Sequence, residues 1–168
     1  LLAIKEPMSP IPSESTLHYH SFVNRGQLYG LSDWSRFYSP RQLASLVAFS
    51  SAISACAPTP GPAGSAIRTC LALCFGKLAD LANALCAWEP IAQCPRHLFG
   101  KQYIGMVWDY AEGVPIGDSS GAWSVRVDRM DHVFDSIGSD WNTGVIHQAS
   151  ATTHPLPSDS VSVLFTDP

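Results

Sequence analysis

A cluster of helix-breaking residues in the first half of the chain, Pro58, Pro60, Gly61, Pro62 and Gly64, constrains the fold more than any other feature. Proline lacks an amide N–H and clashes with the preceding turn, and glycine gives up the most backbone entropy, so no helix runs through such a segment. It reads as a rigid, exposed linker where insertions are tolerated. Two helical patterns are therefore held apart. Upstream, Ser39 offers a hydroxyl N-cap and Pro40 takes the first helical position, where its missing N–H costs nothing. Leu43, Leu46, Val47 and Ile53 follow at near-helical spacings up to about Cys56, which predicts a first helix with one buried stripe.

Downstream, the longest helical pattern runs from Ser65 to about Trp88, with Ile67, Leu71, Cys74, Leu78, Leu81 and Leu85 on one side. Lys77, Asp80 and Asn83 recur at i, i+3 and i+6, and Gly76 leaves room for a close approach. That polar stripe reads first as a solvated face with one weak ion pair, and second as a surface for a cofactor domain or for DNA. Phe99 to Glu112, with Met106, Val107, Trp108 and Tyr110, reads as a buried aromatic patch. Gly113 to Gly121 is a polar loop without the spacing of a phosphate-binding loop. Trp123, Val127, Met130, Val133 or Phe134, and Ile137 define a third helix closed by Gly138 as its C-cap, with His132 on the exposed side.

Two buried strands are then expected. The first spans 144–148; after a polar stretch, Val161, Val163, Leu164 and Phe165 form the second, which delivers Asp167 to the carboxyl edge of a sheet. Open α/β sheets bind ligands at that edge. Read more plainly, a strand there ends in an Asp-Pro turn. Two strands make no stable sheet by themselves, the first residue is Leu1, and the chain stops directly after Asp167-Pro168, so we expect a piece of a longer protein. The expected organisation is an N-terminal strap over 1–38, with a short strand near Leu17 to Val23, a helical block over 39–138 and a partial sheet over 139–168.

Composition limits the function. At 168 residues, 46% hydrophobic and 14% charged, the chain has the make-up of one globular domain. Net charge is −4 with ten Lys and Arg and no basic cluster, so most of any grip on a DNA backbone lies outside these residues. Five cysteines without a Cys-x-x-Cys pair point to reduced, buried thiols and a cytoplasmic protein. Cys86, Cys94 and His97 fall one ligand short of a closed zinc site, and His18 and His20 share a strand face without a third ligand, so no metal is expected. No apolar run has the length of a membrane span, and the N-terminus lacks a signal-peptide layout.

Several phrases resemble one family. They are Tyr29-Gly30-Leu31, Phe37-Tyr38-Ser39-Pro40-Arg41-Gln42-Leu43, Lys77-Leu78-Ala79-Asp80 with Trp88 following, and Phe99-Gly100-Lys101-Gln102. Met106-Val107-Trp108-Asp109-Tyr110-Ala111-Glu112, Ser119-Ser120-Gly121-Ala122-Trp123, Pro155-Leu156-Pro157 and Thr166-Asp167-Pro168 continue the series in order. Together they resemble the large adenine-specific DNA methylases that carry an N-terminal domain of unknown function and often accompany phage-defence genes. The resemblance implies an α/β, Rossmann-like S-adenosylmethionine-dependent methyltransferase. In it, this chain is mostly a helical insertion plus the last two strands before the catalytic loop, and the glycine-rich cofactor loop lies upstream of residue 1. Ser150 and Ala151 fall where the family contacts the cofactor, although many related enzymes carry an Asp at the place of Ser150. Asp167 and Pro168 match the first two residues of the Asp-Pro-Pro-Tyr loop.

The chemistry such a loop performs is specific. An exocyclic amino nitrogen has its lone pair drawn into the ring and attacks a methylsulfonium poorly. A carboxylate and a backbone carbonyl accepting its two N–H bonds favour a pyramidal nitrogen aimed at the methyl group. The resemblance assigns these parts to the Asp167 side chain and the Pro168 carbonyl, acting on N6 of an adenine flipped from DNA. Transfer to N4 of cytosine, to RNA or to a protein amide keeps the same loop. The reading of a different class is a non-catalytic helical interaction module, or the remnant of a truncated gene.

Overall fold

The computed structural model describes residues 11–16, 25–56, 60–101, 103–138, 140–150, 152–153 and 155–165. The strand expected near Leu17 to Val23, with His18 and His20, lies outside them. The regular structure of the described residues is helical apart from one small antiparallel sheet and an isolated bridge, and the chain divides into two units, Leu1–Ser136 and Ile137–Pro168.

In the first unit, Ser15 bridges Asp33, and buried Thr16 anchors the following turn. Its hydroxyl donates to the Leu31 carbonyl at 2.7 Å, and its own carbonyl accepts from Gln27 Nε2 at 2.7 Å. Two short 3-10 turns, Arg25–Tyr29 and Trp34–Phe37, flank Gly30, whose φ of +82° suits glycine. Phe37 is fully buried, with the Trp34 ring 5.0 Å away.

Helix α1, Pro40–Ala55, starts where the sequence predicts. Its cap is reciprocal: Gln42 N–H donates to Ser39 Oγ at 3.2 Å, and Ser39 N–H donates to Gln42 Oε1 at 2.8 Å. Leu46 is its buried apolar residue, while Leu43, Val47 and Ile53 are half-buried.

Helix α2, Pro62–Leu81, is central and packs on both α1 and α3. It begins three residues earlier than the sequence pattern suggests. Pro62 is pre-organised for the first turn, and Gly61 takes the φ of +115° that turns the chain into it. It also ends earlier, at Leu81 instead of Trp88. Asn83 folds back, its Nδ2 donating to the Asp80 carbonyl at 2.9 Å while its Oδ1 accepts from Leu85 N–H at 2.9 Å. A side chain thus replaces the next helical donor and stops the helix.

A two-residue hairpin follows, β1 (Trp88–Glu89) against β2 (Cys94–Pro95), with Trp88 opposite Pro95 and Glu89 opposite Cys94. Helix α3, Trp123–Ser136, closes the unit, and Trp123 meets Phe49 of α1 with ring centroids 5.1 Å apart. Leu46, Cys74, Leu78, Leu81, Cys86, Leu98 and Ala122 are buried.

Three expectations are corrected in these elements. The 99–112 segment is irregular rather than a buried aromatic patch: Trp108 is fully exposed, and Phe99 and Tyr103 are more than half exposed. Gly138 is not a left-handed C-cap. A Cβ there would stand 3.0 Å from Trp141 Nε1, so it is the close approach of that ring that suits glycine. In the second unit, the buried strands expected at 144–148 and 161–165 are absent. Ile146 is 98% and Phe165 92% exposed, and the described backbone there is irregular. The side chains have the composition of strands, but among the described residues no neighbouring strand takes up their backbone N–H and C=O groups.

Candidate functional site

The polar junction of the first unit forms where the end of α2 meets the 97–99 segment. The Asp80 carboxylate is its centre: Oδ2 lies 2.5 Å from His97 Nδ1, and Oδ1 accepts from Phe99 N–H at 3.0 Å. The main-chain carbonyl of Asp80 is equally engaged, accepting from Leu98 N–H at 3.1 Å and from Cys86 Sγ at 3.3 Å. Nδ1 faces a carboxylate and so directs a ring hydrogen toward it. Asp80 is buried, whereas the His97 side chain is 45% exposed.

The surroundings hold their protons. Burial, followed by the charge of Asp80 and the neighbouring Cys86, pushes the Tyr38 hydroxyl above its ordinary range. Burial likewise pushes the Cys86 thiol up to about 11. The couple has the arrangement of an oriented base, a carboxylate fixing an imidazole through Nδ1, with Nε2 as the other ring nitrogen. Among the described residues no hydroxyl or thiol is hydrogen-bonded to that nitrogen. What the junction does with the atoms present is clamp residues 97–99 to the end of α2.

A second polar cluster ties the 112 region to the start of α1. Glu112 accepts from the Ser39 hydroxyl and from Arg41 Nε, the latter at 2.8 Å. Those two donors, Ser39 first, hold the Glu112 carboxyl below the usual carboxylate range. Beside it lies an open groove of ≈ 210 Å³ lined by Gln42, Ser45, Leu46, Ala82, Val114 and Pro115 among others.

The residues singled out in the sequence have different fates. Asp167, Pro168 and Ala151 lie outside the described residues. Ser150 is exposed in a local turn: its hydroxyl meets Thr152 Oγ1 at 2.8 Å and accepts from Thr152 N–H at 3.3 Å, and its carbonyl accepts from Thr153 N–H at 3.0 Å. Asp80 and Asn83 are buried and bonded, not a solvated face; Lys77 alone of that stripe is exposed. Cys86 and His97, considered together as zinc ligands, both engage Asp80 instead, and no group of three or more His, Cys, Asp or Glu among the described residues is placed to hold a metal. All five cysteines are free, and no helix among the described residues is long and apolar enough to cross a membrane.

Comparison with family models, with curated proteins and with solved structures returns no match for the chain.

Proposed function

We propose that the chain is part of an S-adenosylmethionine-dependent DNA amino-methyltransferase of Rossmann-like fold, acting on N6 of adenine. The observation that carries the reading is which residues the first unit joins. Ser39 and Arg41, from one of the phrases that resemble the methylase family, bond to Glu112 from another, more than seventy positions away. Asp80 and Phe99 pair two further phrases through the carboxylate and the Phe99 N–H. The segments that carry the resemblance therefore support one another physically, as they should if they are one family's framework. Exposed Val161, Val163, Leu164 and Phe165, immediately before Thr166-Asp167-Pro168, suit strands that pair with further sheet in a larger protein.

In this reading residues 39–138 are the helical insertion and 1–38 a strap that precedes it. Asp167 accepts one N–H of the target amino group and the Pro168 carbonyl accepts the other. Ser150 and Ala151 border the cofactor, and most of the grip on S-adenosylmethionine and DNA belongs to parts beyond these residues. The test is methyl transfer from S-adenosylmethionine to unmethylated DNA by a protein that contains this chain. Asp167→Ala is expected to abolish transfer while cofactor affinity stays within about twofold, because the carboxylate acts on the target nitrogen. Undiminished methylation by that variant refutes the assignment. The fully exposed Trp108, with Phe99 and Trp88 more than half exposed, favours the second reading, a helical interaction module without catalysis.

A further inference from the structure

Arg126 is the one charged side chain of α3 that is buried, at 8% exposure. Its Nε is enclosed and has no hydrogen-bond partner, and no carboxylate among the described residues is within ion-pair distance of the guanidinium. The main chain pins it there. Its carbonyl accepts from Cys74 Sγ of α2 at 3.6 Å, and its N–H donates to the buried Ala122 at 3.3 Å. A buried charge without a counter-charge destabilises a fold unless something outside the chain compensates it.

The groups around Arg126 do not supply that compensation. Asp80 acts on it from a distance but is committed to His97 and the Phe99 N–H. Cys74 is held neutral, because burial pushes its thiol up. Arg129, one turn along the same helix, is exposed, makes no ion pair among the described residues and adds repulsion to Arg126. Burial first, and that repulsion second, hold the Arg126 guanidinium below its ordinary range. Asp128 and Asp131 stand one or two positions from Arg129, and residues so spaced on a helix do not face one another.

We propose that Arg126 and Arg129 form a binding site for a phosphate group, whose oxygens bridge the two guanidinia at the N-terminal half of α3. An arginine fork matches a tetrahedral oxyanion through paired N–H bonds; the Nε of Arg126 is enclosed, so its terminal Nη groups and the exposed Arg129 guanidinium supply those bonds. The positive end of the helix dipole acts in the same sense. The site is independent of the methyl-transfer reading: either stands if the other fails.

Inorganic phosphate and a phosphodiester dinucleotide are the two probes, titrated against the full chain at constant ionic strength with chloride as the control. Phosphate is expected to raise Tm in a saturable way that chloride does not reproduce, with broadening of the phosphorus resonance on binding. Arg126→Met is expected to remove that shift while unfolding at the same or a higher temperature in chloride, since it removes an unpaired buried charge. Exposed Arg129→Met, which tests the site even if the first variant does not fold, is expected to weaken binding about tenfold. Saturation by phosphate alone assigns a free phosphate or monoester, and saturation by the dinucleotide assigns a nucleic-acid backbone. No saturable shift with either probe, or an unchanged affinity in Arg129→Met, overturns the proposal.

Discussion

Removing the Asp80 carboxylate tests the junction directly, because its main-chain carbonyl bonds to Leu98 and Cys86 remain when the side chain is lost. Asp80→Ala deletes two charge-assisted hydrogen bonds, to His97 Nδ1 at 2.5 Å and to Phe99 N–H at 3.0 Å. Bonds to an ionised group contribute about 1.5–3 kcal/mol each. His97 is nearly half exposed, so the low end applies to its bond and the expected loss is about 3 kcal/mol. For a domain of this size that lowers Tm by roughly 10 °C. Asp80→Asn keeps an acceptor for Phe99 N–H and can donate to the other imidazole tautomer, so it should cost about 1 kcal/mol. His97→Ala should cost about 1.5 kcal/mol, and in the double variant about that much should reappear as coupling. Urea unfolding followed by tryptophan fluorescence is suited to the measurement, since Trp34 lies 6.3 Å from the Phe99 ring. A loss below about 1 kcal/mol for Asp80→Ala, or strict additivity with His97→Ala, refutes the clamp.

Two further changes probe the same unit. Ser39→Ala removes both the N-cap of α1 and a donor to Glu112, and should cost about 1 kcal/mol in urea unfolding. The Glu112 carboxyl is depressed in the fold, so its contribution is present above its ordinary pKa of 4.5 and lost as pH falls through the lower folded value. Glu112→Gln should flatten that acid limb, and an unchanged limb counts against the tether. Cys86 has the opposite sign: its folded pKa is raised, so its contribution is complete below 9.0 and lost as pH rises from there to about 11. That alkaline loss should be on the order of 2 kcal/mol and shrink in Cys86→Ala, with Tyr38→Phe separating the tyrosine's like-signed share. An identical alkaline slope in Cys86→Ala rules the thiol out.

The helices were legible because their signals are local. Ser39 and Pro40 define a start by capping chemistry that involves only the next few residues, and the apolar spacing of Leu71, Cys74, Leu78 and Leu81 points to one face whatever lies opposite. The end of α2 was not legible from periodicity, because Leu85 continues the pattern after the helix has stopped. Asn83 decides it, and its capping role shows only once the carbonyls of Ala79 and Asp80 are left without the next turn's donors. The strands were misjudged for the complementary reason. Val161, Val163 and Leu164 have the right side chains, but a strand exists only through hydrogen bonds to a neighbour, and that information is not contained in the segment itself.

The polar stripe of α2 shows how a site hides in a helical pattern. Lys77, Asp80 and Asn83 share a face by spacing, and a polar face is ordinarily a solvated one. The hairpin returns His97 and Leu98 to the last turn of that face, after β1 and β2 have reversed the chain, so that Asp80 and Asn83 are covered while Lys77, one turn back, stays in water. Burial of a carboxylate there is stable only because both of its oxygens and its carbonyl acquire donors from the covering segment. Arg126 is the counter-example within the same unit, a buried cation whose Nε acquires no acceptor. Among the described residues of this unit one buried charge, Asp80, has both carboxylate oxygens bonded, and the other, Arg126, keeps an unpaired Nε; the phosphate titration with Arg129→Met tests whether that difference marks a binding site rather than a structural clamp.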